Sequence, residues 1–437
     1  MSTTSNGSAS GGPPSNGLAS NGHAPNGHAN SSDRPGSTIA LALAGGGGEG
    51  AIYEIGTLRA LDEAIEGLDF TRVPIYVGVS AGAFVASCLA NGLTTSQLCR
   101  SIVTTDPGEH PFQPERFLMP AFGEFLRRGL SVPGLLFDAV KDVARTPTDL
   151  RVVGTFVDRL TRAVPVGLFA NDPLRSFLER VFKKDGRTND FRRLRQQLYI
   201  VAADLDSGEA VRFGEPGLDH VPIARAVQAS TALPGLYPPV EIDDNFYVDG
   251  VLLKTMHASV ALEKGADLVL CVNPIVPVDL AAARREGFIR PGRLVDLGMP
   301  AVMSQTLRTL VHSRLNVGLA AYENRYAGKD VLLFEPRRDD TQMFFTNIFS
   351  FSQRRTVCEH AYRSTLANLR ERRDEVTAAL APHGLRLRDE VINDTQRDLW
   401  AHIGLDPVRQ DAPTSEVTQR LRIALHRLDT LIGDRMV

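Results

Sequence analysis

The chain has 437 residues, 43% hydrophobic and 23% charged, with a formal net charge of −3. That length can bury a large core, and the composition describes a globular protein with one large domain plus appendages. The slight negative charge argues against nucleic-acid binding and against strong electrostatic attachment to anionic membranes.

No run of about eighteen apolar residues offers a membrane span. The four cysteines, Cys88, Cys99, Cys271 and Cys358, have no C-x-x-C spacing, so free thiols in a reducing, cytoplasmic compartment are expected. Residues 1–36 are rich in Ser, Gly, Asn and Ala, with Asn-Gly at 6, 16, 21 and 26. So few apolar side chains cannot offset the entropy of ordering, and a disordered tail is expected. It lacks the basic start and apolar core of a secretory signal, and His23 and His28 read as solvated residues rather than metal ligands.

Thr38 to Ala44 reads as a buried strand running into Gly45-Gly46-Gly47-Gly48-Glu49-Gly50. A helix follows, with Ala51, Ile52, Ile55, Leu58, Leu61 and Ile65 spaced three or four apart. Glycines between a strand and a helix N-terminus leave N–H groups open toward an anion. They suit an oxyanion hole or a phosphate, and Gly45, Gly47 and Gly50 satisfy G-x-G-x-x-G literally. A dinucleotide site asks for an acid at the end of the second strand. Asp69 precedes that strand, which argues against it.

The second strand, Pro74 to Val77, leads into Gly78-Val79-Ser80-Ala81-Gly82 and a helix over 83–89. Small residues at 78 and 82 let strand and helix approach, so the Ser80 hydroxyl stands exposed on a sharp turn, as a nucleophile for carbonyl attack requires. From Pro111 to Val143, Phe112, Phe117, Phe122, Phe125 and Phe137 with several leucines predict short helices broken by Pro120, Pro133 and Gly134. A packed cap is the expectation; a lid touching lipid is the alternative, joined by a second aromatic cluster at 343–351.

Strands are expected at 198–202, 267–272 and 331–334, alternating with helices, which implies a mainly parallel sheet covered on both faces. Asp204 and Asp206 before Ser207-Gly208 read as turn chemistry. Phe246-Tyr247-Val248-Asp249-Gly250-Val251 sets a carboxylate at the end of a short apolar strand, 169 residues after Ser80. Alone, Asp-Gly reads as a turn. His257 and His312 follow Asp249, so a Ser-Asp-His triad of the α/β-hydrolase type is a formal alternative. Against it, Ser80 follows only the second strand, and His257 reads as an ordinary, partly exposed residue at a helix start. Ser352 to Leu380 reads as one long helix ended near Gly384, and Val417 to Ile432 carries the apolar stripe of a final helix.

Taken in order, the glycine turn at 45–50, Gly78-Val79-Ser80-Ala81-Gly82 and Asp249-Gly250 resemble the patatin-like phospholipases. Ala202 to Glu209 and Ala226 to Pro234 resemble the spacers of that family, and the likeness covers about 38–335. The resemblance implies an α/β fold, a three-layer sandwich with a mainly parallel central sheet, a helical cap insertion and a helical C-terminal extension. It implies a Ser–Asp dyad hydrolysing acyl esters of lipids, with no metal and no cofactor. Carried over by position, Ser80 is the nucleophile, Asp249 the base and Gly46, Gly47 and Gly48 the oxyanion hole, while Gly78, Gly82 and Gly250 complete the motifs.

One position departs from the family pattern. The residue after the glycine run is commonly Arg or Lys, and here it is Glu49. A carboxylate pointing inward would oppose a developing oxyanion, whereas one paired with a nearby Arg would matter little. A catalytic Asp249 also needs burial to raise its pKa toward that of a useful base. The expected division is a tail at 1–36, a catalytic domain at 37–352 with a cap at about 100–171, and a helical extension at 353–437. Lipid is the expected partner, with peripheral membrane contact. The C-terminal helices also offer a surface for a homo-oligomer, and a catalytically weak lipid-binding or scaffold protein is the non-enzymatic alternative.

Overall fold

A computed structural model of the chain describes residues 36–104, 121, 166–279, 285, 294–338, 340 and 351–405. The tail through residue 35, the cap helices expected at 111–143, the aromatic cluster at 343–350 and the final helix expected at 417–432 lie outside the described residues, save Ala121.

The period of two in the apolar strands builds the molecule. In β1 (Ile39–Leu43), Leu41 and Leu43 enter one hydrophobic core while Ala40 and Ala42 enter another on the opposite face. The short β2 (Ile65–Glu66) lies apart from the main sheet. In β3 (Ile75–Val79), Tyr76 joins the first core and Ile75, Val77 and Val79 the second; β4 (Gln197–Asp204) alternates likewise. The remaining strands are β5 (Ala210–Phe213), β6 (Val240–Ile242), β7 (Asn245–Asp249), β8 (Leu268–Val272), β9 (Asp330–Phe334) and β10 (Arg386–Leu387).

The sheet runs β6-β7-β4-β3-β1-β8-β9, with β5 beside β4, and β10 pairs with β2 in a separate ribbon. Strands β4, β3, β1, β8 and β9 are mutually parallel, while β5, β7 and β6 add an antiparallel margin. This is the α/β sandwich with a mainly parallel central sheet that the sequence predicts.

On one face pack α1 (Gly47–Ala64), α2 (Ala81–Ala90), the capped turn α3 (Thr95–Leu98), α4 (Asp172–Phe182) and α5 (Ile223–Ser230). On the other face, α6 (Ala258–Glu263) and α7 (Met299–Arg325) cover the sheet through Val260, Val311 and Leu315. Next in the chain are α8 (Phe351–Glu371) and α9 (Arg373–Leu380). Val357, Ala361 and Tyr362 of α8 enter the same core as Ile55 and Leu58 of α1. Gly56 permits that closeness, because a Cβ there would lie 2.3 Å from the Cys358 carbonyl oxygen.

The single helix expected over 352–380 is divided. The backbone leaves helical geometry at Arg372, whose guanidinium donates to the Leu333 carbonyl at 2.9 Å. The left-handed turn at Gly384, φ +73°, falls where the helix end was expected. All four cysteines are free and buried. Among the described residues no helix is long and apolar enough to cross a membrane.

Candidate active site

Strand β3 delivers the chain to Ser80, and α2 begins at the next residue. Ser80 takes φ +53° and ψ −118°, a conformation that an L-residue holds only when its surroundings enforce it. The flanking glycines supply the room. A Cβ on Gly82 would lie 2.4 Å from the Leu43 carbonyl oxygen, and one on Gly78 would lie 2.5 Å from the Ala83 Cα. The Gly82 N–H uses this closeness to donate to the Ala44 carbonyl at 3.1 Å.

Strand β7 ends at Asp249, and register pairs this residue with Ala202 of β4, the neighbour of β3. Gly250 allows the approach, since a Cβ there would lie 2.5 Å from the Val201 carbonyl oxygen. The Ser80 hydroxyl donates to Asp249 Oδ2 at 2.6 Å, and both residues are buried. Asp249 Oδ1 accepts the Val251 N–H at 2.9 Å. Burial pushes the Asp249 carboxyl up to about 7, against the pull of the Ser80 hydroxyl and the Val251 N–H.

The glycine run differs in form from the turn expected over 45–50, because α1 already begins at Gly47. Gly47 takes φ +62°, which favours glycine. Gly45 is committed elsewhere, its N–H donating to the Thr255 carbonyl at 3.1 Å. Gly46, Gly47 and Gly48 line a cavity of about 540 Å³ together with Ser80 and Asp249. The first N–H groups of a helix lack intrahelical partners, and the positive end of the α1 dipole lies there, so the cavity suits a negative charge.

The rest of the lining is mostly apolar, including Phe84, Ile102, Leu174, Leu233, Val251 and Leu307. Arg308 and Arg354 also line it, and Arg354 donates to the Ile102 carbonyl at 3.1 Å. Sequence reasoning missed both, as it missed Ser230. The Ser230 hydroxyl accepts the Ser80 N–H at 2.9 Å and donates to the Val201 carbonyl at 2.6 Å. The only sequence signal was its place in the 226–234 spacer.

Glu49 stands in the first turn of α1, where an acid complements the helix dipole. Burial raises its carboxyl to about 7, and the charge of Arg308 on α7 opposes that rise. Asp204 Oδ1 accepts the Asp206 and Ser207 N–H groups at 3.0 and 2.8 Å, forming the expected turn. Asp69 is occupied likewise, its Oδ1 accepting the Thr71 N–H at 2.9 Å ahead of β3.

His257 corrects an expectation. It is buried rather than partly exposed, because α6 and α7 pack over the sheet at that point. Burial, with Lys254 and Arg212 nearby, pushes its imidazole down to about 3. His312 is engaged with Arg338 at 2.7 Å. Among the described residues no histidine hydrogen-bonds Ser80 or Asp249.

Three solved structures resemble the chain at low similarity. VipD from Legionella pneumophila matches at 16% identity and a TM-score of 0.36, over 77% of this chain and 67% of that one. The type III effector ExoU matches at 16% identity and 0.34, over 77% of this chain. Full-length ExoU in complex with SpcU, from Pseudomonas aeruginosa, matches at 16% and 0.23, over 92% of this chain and 80% of that one. In the second of these the chain spans about half the length of its relative, 53%. A family model described as patatin-like phospholipase matches residues 41–262, from β1 through the serine turn and past Asp249. That span is half of the sequence, and by it the chain belongs to the patatin-like phospholipase family.

Proposed function

We propose that the chain is a lipid acyl hydrolase in which Ser80 is the nucleophile and Asp249 the base. The reading rests above all on the 2.6 Å hydrogen bond from the Ser80 hydroxyl to the Asp249 carboxylate. A carboxyl with a pKa of about 7 is ionised to a useful degree at neutral pH and is basic enough to accept that proton.

In this scheme Asp249 takes the proton as Ser80 Oγ bonds to the carbonyl carbon, and the carbonyl electron pair moves onto oxygen. The N–H groups of Gly46, Gly47 and Gly48 receive that oxyanion. The intermediate collapses, the ester C–O bond breaks, and the leaving alcohol takes the proton from Asp249. Water then gives its proton to Asp249, attacks the acyl-enzyme and releases the fatty acid, while Ser80 recovers its hydrogen. The apolar lining suits an acyl chain, and a carboxylic ester of a phospholipid or related acyl lipid is the substrate class that this implies.

Turnover of a chromogenic short-chain ester by Ser80→Ala and Asp249→Asn tests the scheme, with fluorophosphonate labelling as a second readout. Each variant loses activity by about a thousandfold or more, and Ser80→Ala loses the label. His257→Ala keeps its activity if it folds. Near-wild-type rates from either dyad variant overturn the proposal.

A further inference from the structure

Helix α7 is apolar on two faces. One face is accounted for: Val311 and Leu315 are buried in the core, and Leu307, Leu319 and Tyr322 pack against it. The other carries Met299, Met303, Thr306, Leu310, Ser313, Val317 and Ala321, all exposed and spaced three or four apart. This stripe contains no charge over about 33 Å of helix, at about 1.5 Å per residue. Met299 is 76% exposed, Met303 61%, Leu310 58% and Val317 70%, so most of each residue stands in water. Single exposed apolar residues are ordinary, but four large ones along one side of a helix are not.

The row runs beside the α7 residues that line the Ser80 cavity. Ser304, Leu307 and Arg308 line the cavity from this helix, and Leu307 has Met303 four residues before it and Leu310 three after it as its neighbours on the exposed side. Exposed Leu252 follows the lining residue Val251, and its carbonyl accepts from Arg314 of α7 at 2.9 Å, tying the helix to the loop after Asp249. Leu236 lines the cavity while 42% exposed, and the 49% exposed Leu168 adjoins the lining residue Phe169. Arg314 and Arg325 stand exposed along the flank of the stripe.

We infer that α7 and these leucines form one docking surface for a lipid bilayer, on which the protein sits with the mouth of its cavity against the lipid. This rests on the lipid reading of the cavity. The occupant follows from continuity: an apolar surface running into an apolar cavity lets an acyl chain pass from bilayer to Ser80 without crossing water. The flanking arginines favour anionic head groups.

The test uses the full chain with vesicles of phosphatidylcholine and phosphatidylglycerol. All native cysteines are buried, so Met303→Cys accepts an environment-sensitive fluorophore at one accessible site. With vesicles, its emission shifts to the blue and brightens. Leu310→Glu with Val317→Glu lowers vesicle sedimentation and hydrolysis of vesicle lipid by about tenfold or more. Hydrolysis of a monomeric butyrate ester stays within about twofold, showing an intact fold. Unchanged vesicle binding by the double variant, or an unmoved emission, overturns the inference. So does a wild-type dimer that the double substitution dissociates, because the stripe then belongs to a second copy. If the wild type binds vesicles through α7 but cleaves no ester, the hydrolase reading fails and the docking surface stands.

Discussion

The Ser230 hydroxyl accepts the Ser80 N–H at 2.9 Å and donates its own hydrogen bond to the Val201 carbonyl at 2.6 Å. One buried side chain thus fastens the strained serine turn to β4, the strand that also pairs with Asp249. Ser230→Ala leaves a buried N–H and a buried carbonyl without these partners, at a cost of about 1–3 kcal/mol. Thermal melting falls by several degrees, and ester turnover drops through kcat more than KM. Unchanged kcat would show that the turn is held by other contacts.

Asp249 predicts opposite trends for activity and stability. Its carboxyl titrates near 7 in the folded protein, against about 4 in the unfolded chain. Activity therefore rises with pH as the carboxylate forms. Between these values the folded state holds a proton that the unfolded state has released, so stability falls as pH rises. Asp249→Asn abolishes turnover yet resists denaturant better than wild type above about pH 7, by a few kcal/mol at most. Urea midpoints at acid and alkaline pH check this.

Glu49 also titrates near 7, next in the chain after the glycines proposed to receive the oxyanion. As its carboxylate forms, it opposes a second negative charge, although Arg308 offsets part of that effect. Wild-type kcat/KM consequently falls on the alkaline side, and Glu49→Gln extends the plateau upward. A pH profile over about pH 5 to 9 decides the point. An alkaline limb that survives in Glu49→Gln belongs to some other group.

Gly56→Ala places a methyl group against the Cys358 carbonyl at 2.3 Å. Neither α1 nor α8 can retreat without opening the core they share, so the variant loses about 1–3 kcal/mol or more. A thermal melt of the purified protein measures the loss, and wild-type stability would mean that the helices slide apart freely.

The parts of this site legible in the sequence are those with local patterns. The alternation of 39–43, the small residues around Ser80 and the Asp-Gly after an apolar strand each carry their signal within six or so residues. Arg308 and Arg354 left no such trace, because they reach the cavity from helices far along the chain. His257 shows the same limit: its local setting suggests exposure, and only the packing of α6 and α7 buries it. The break at Arg372 carries no Gly or Pro and coincides instead with a tie to β9 that the local sequence does not announce.

Strand β7 joins β4 in antiparallel register, Ala202 opposite Asp249 and Ala203 opposite Val248. Neighbouring side chains point to opposite sides of a sheet, so a slip of a single step would set a valine beside the alcohol. A nascent chain that ends before Phe246 owns Ser80 but no proton acceptor for it. The proposed chemistry therefore waits until the growing polypeptide has passed Asp249 and can close its own margin.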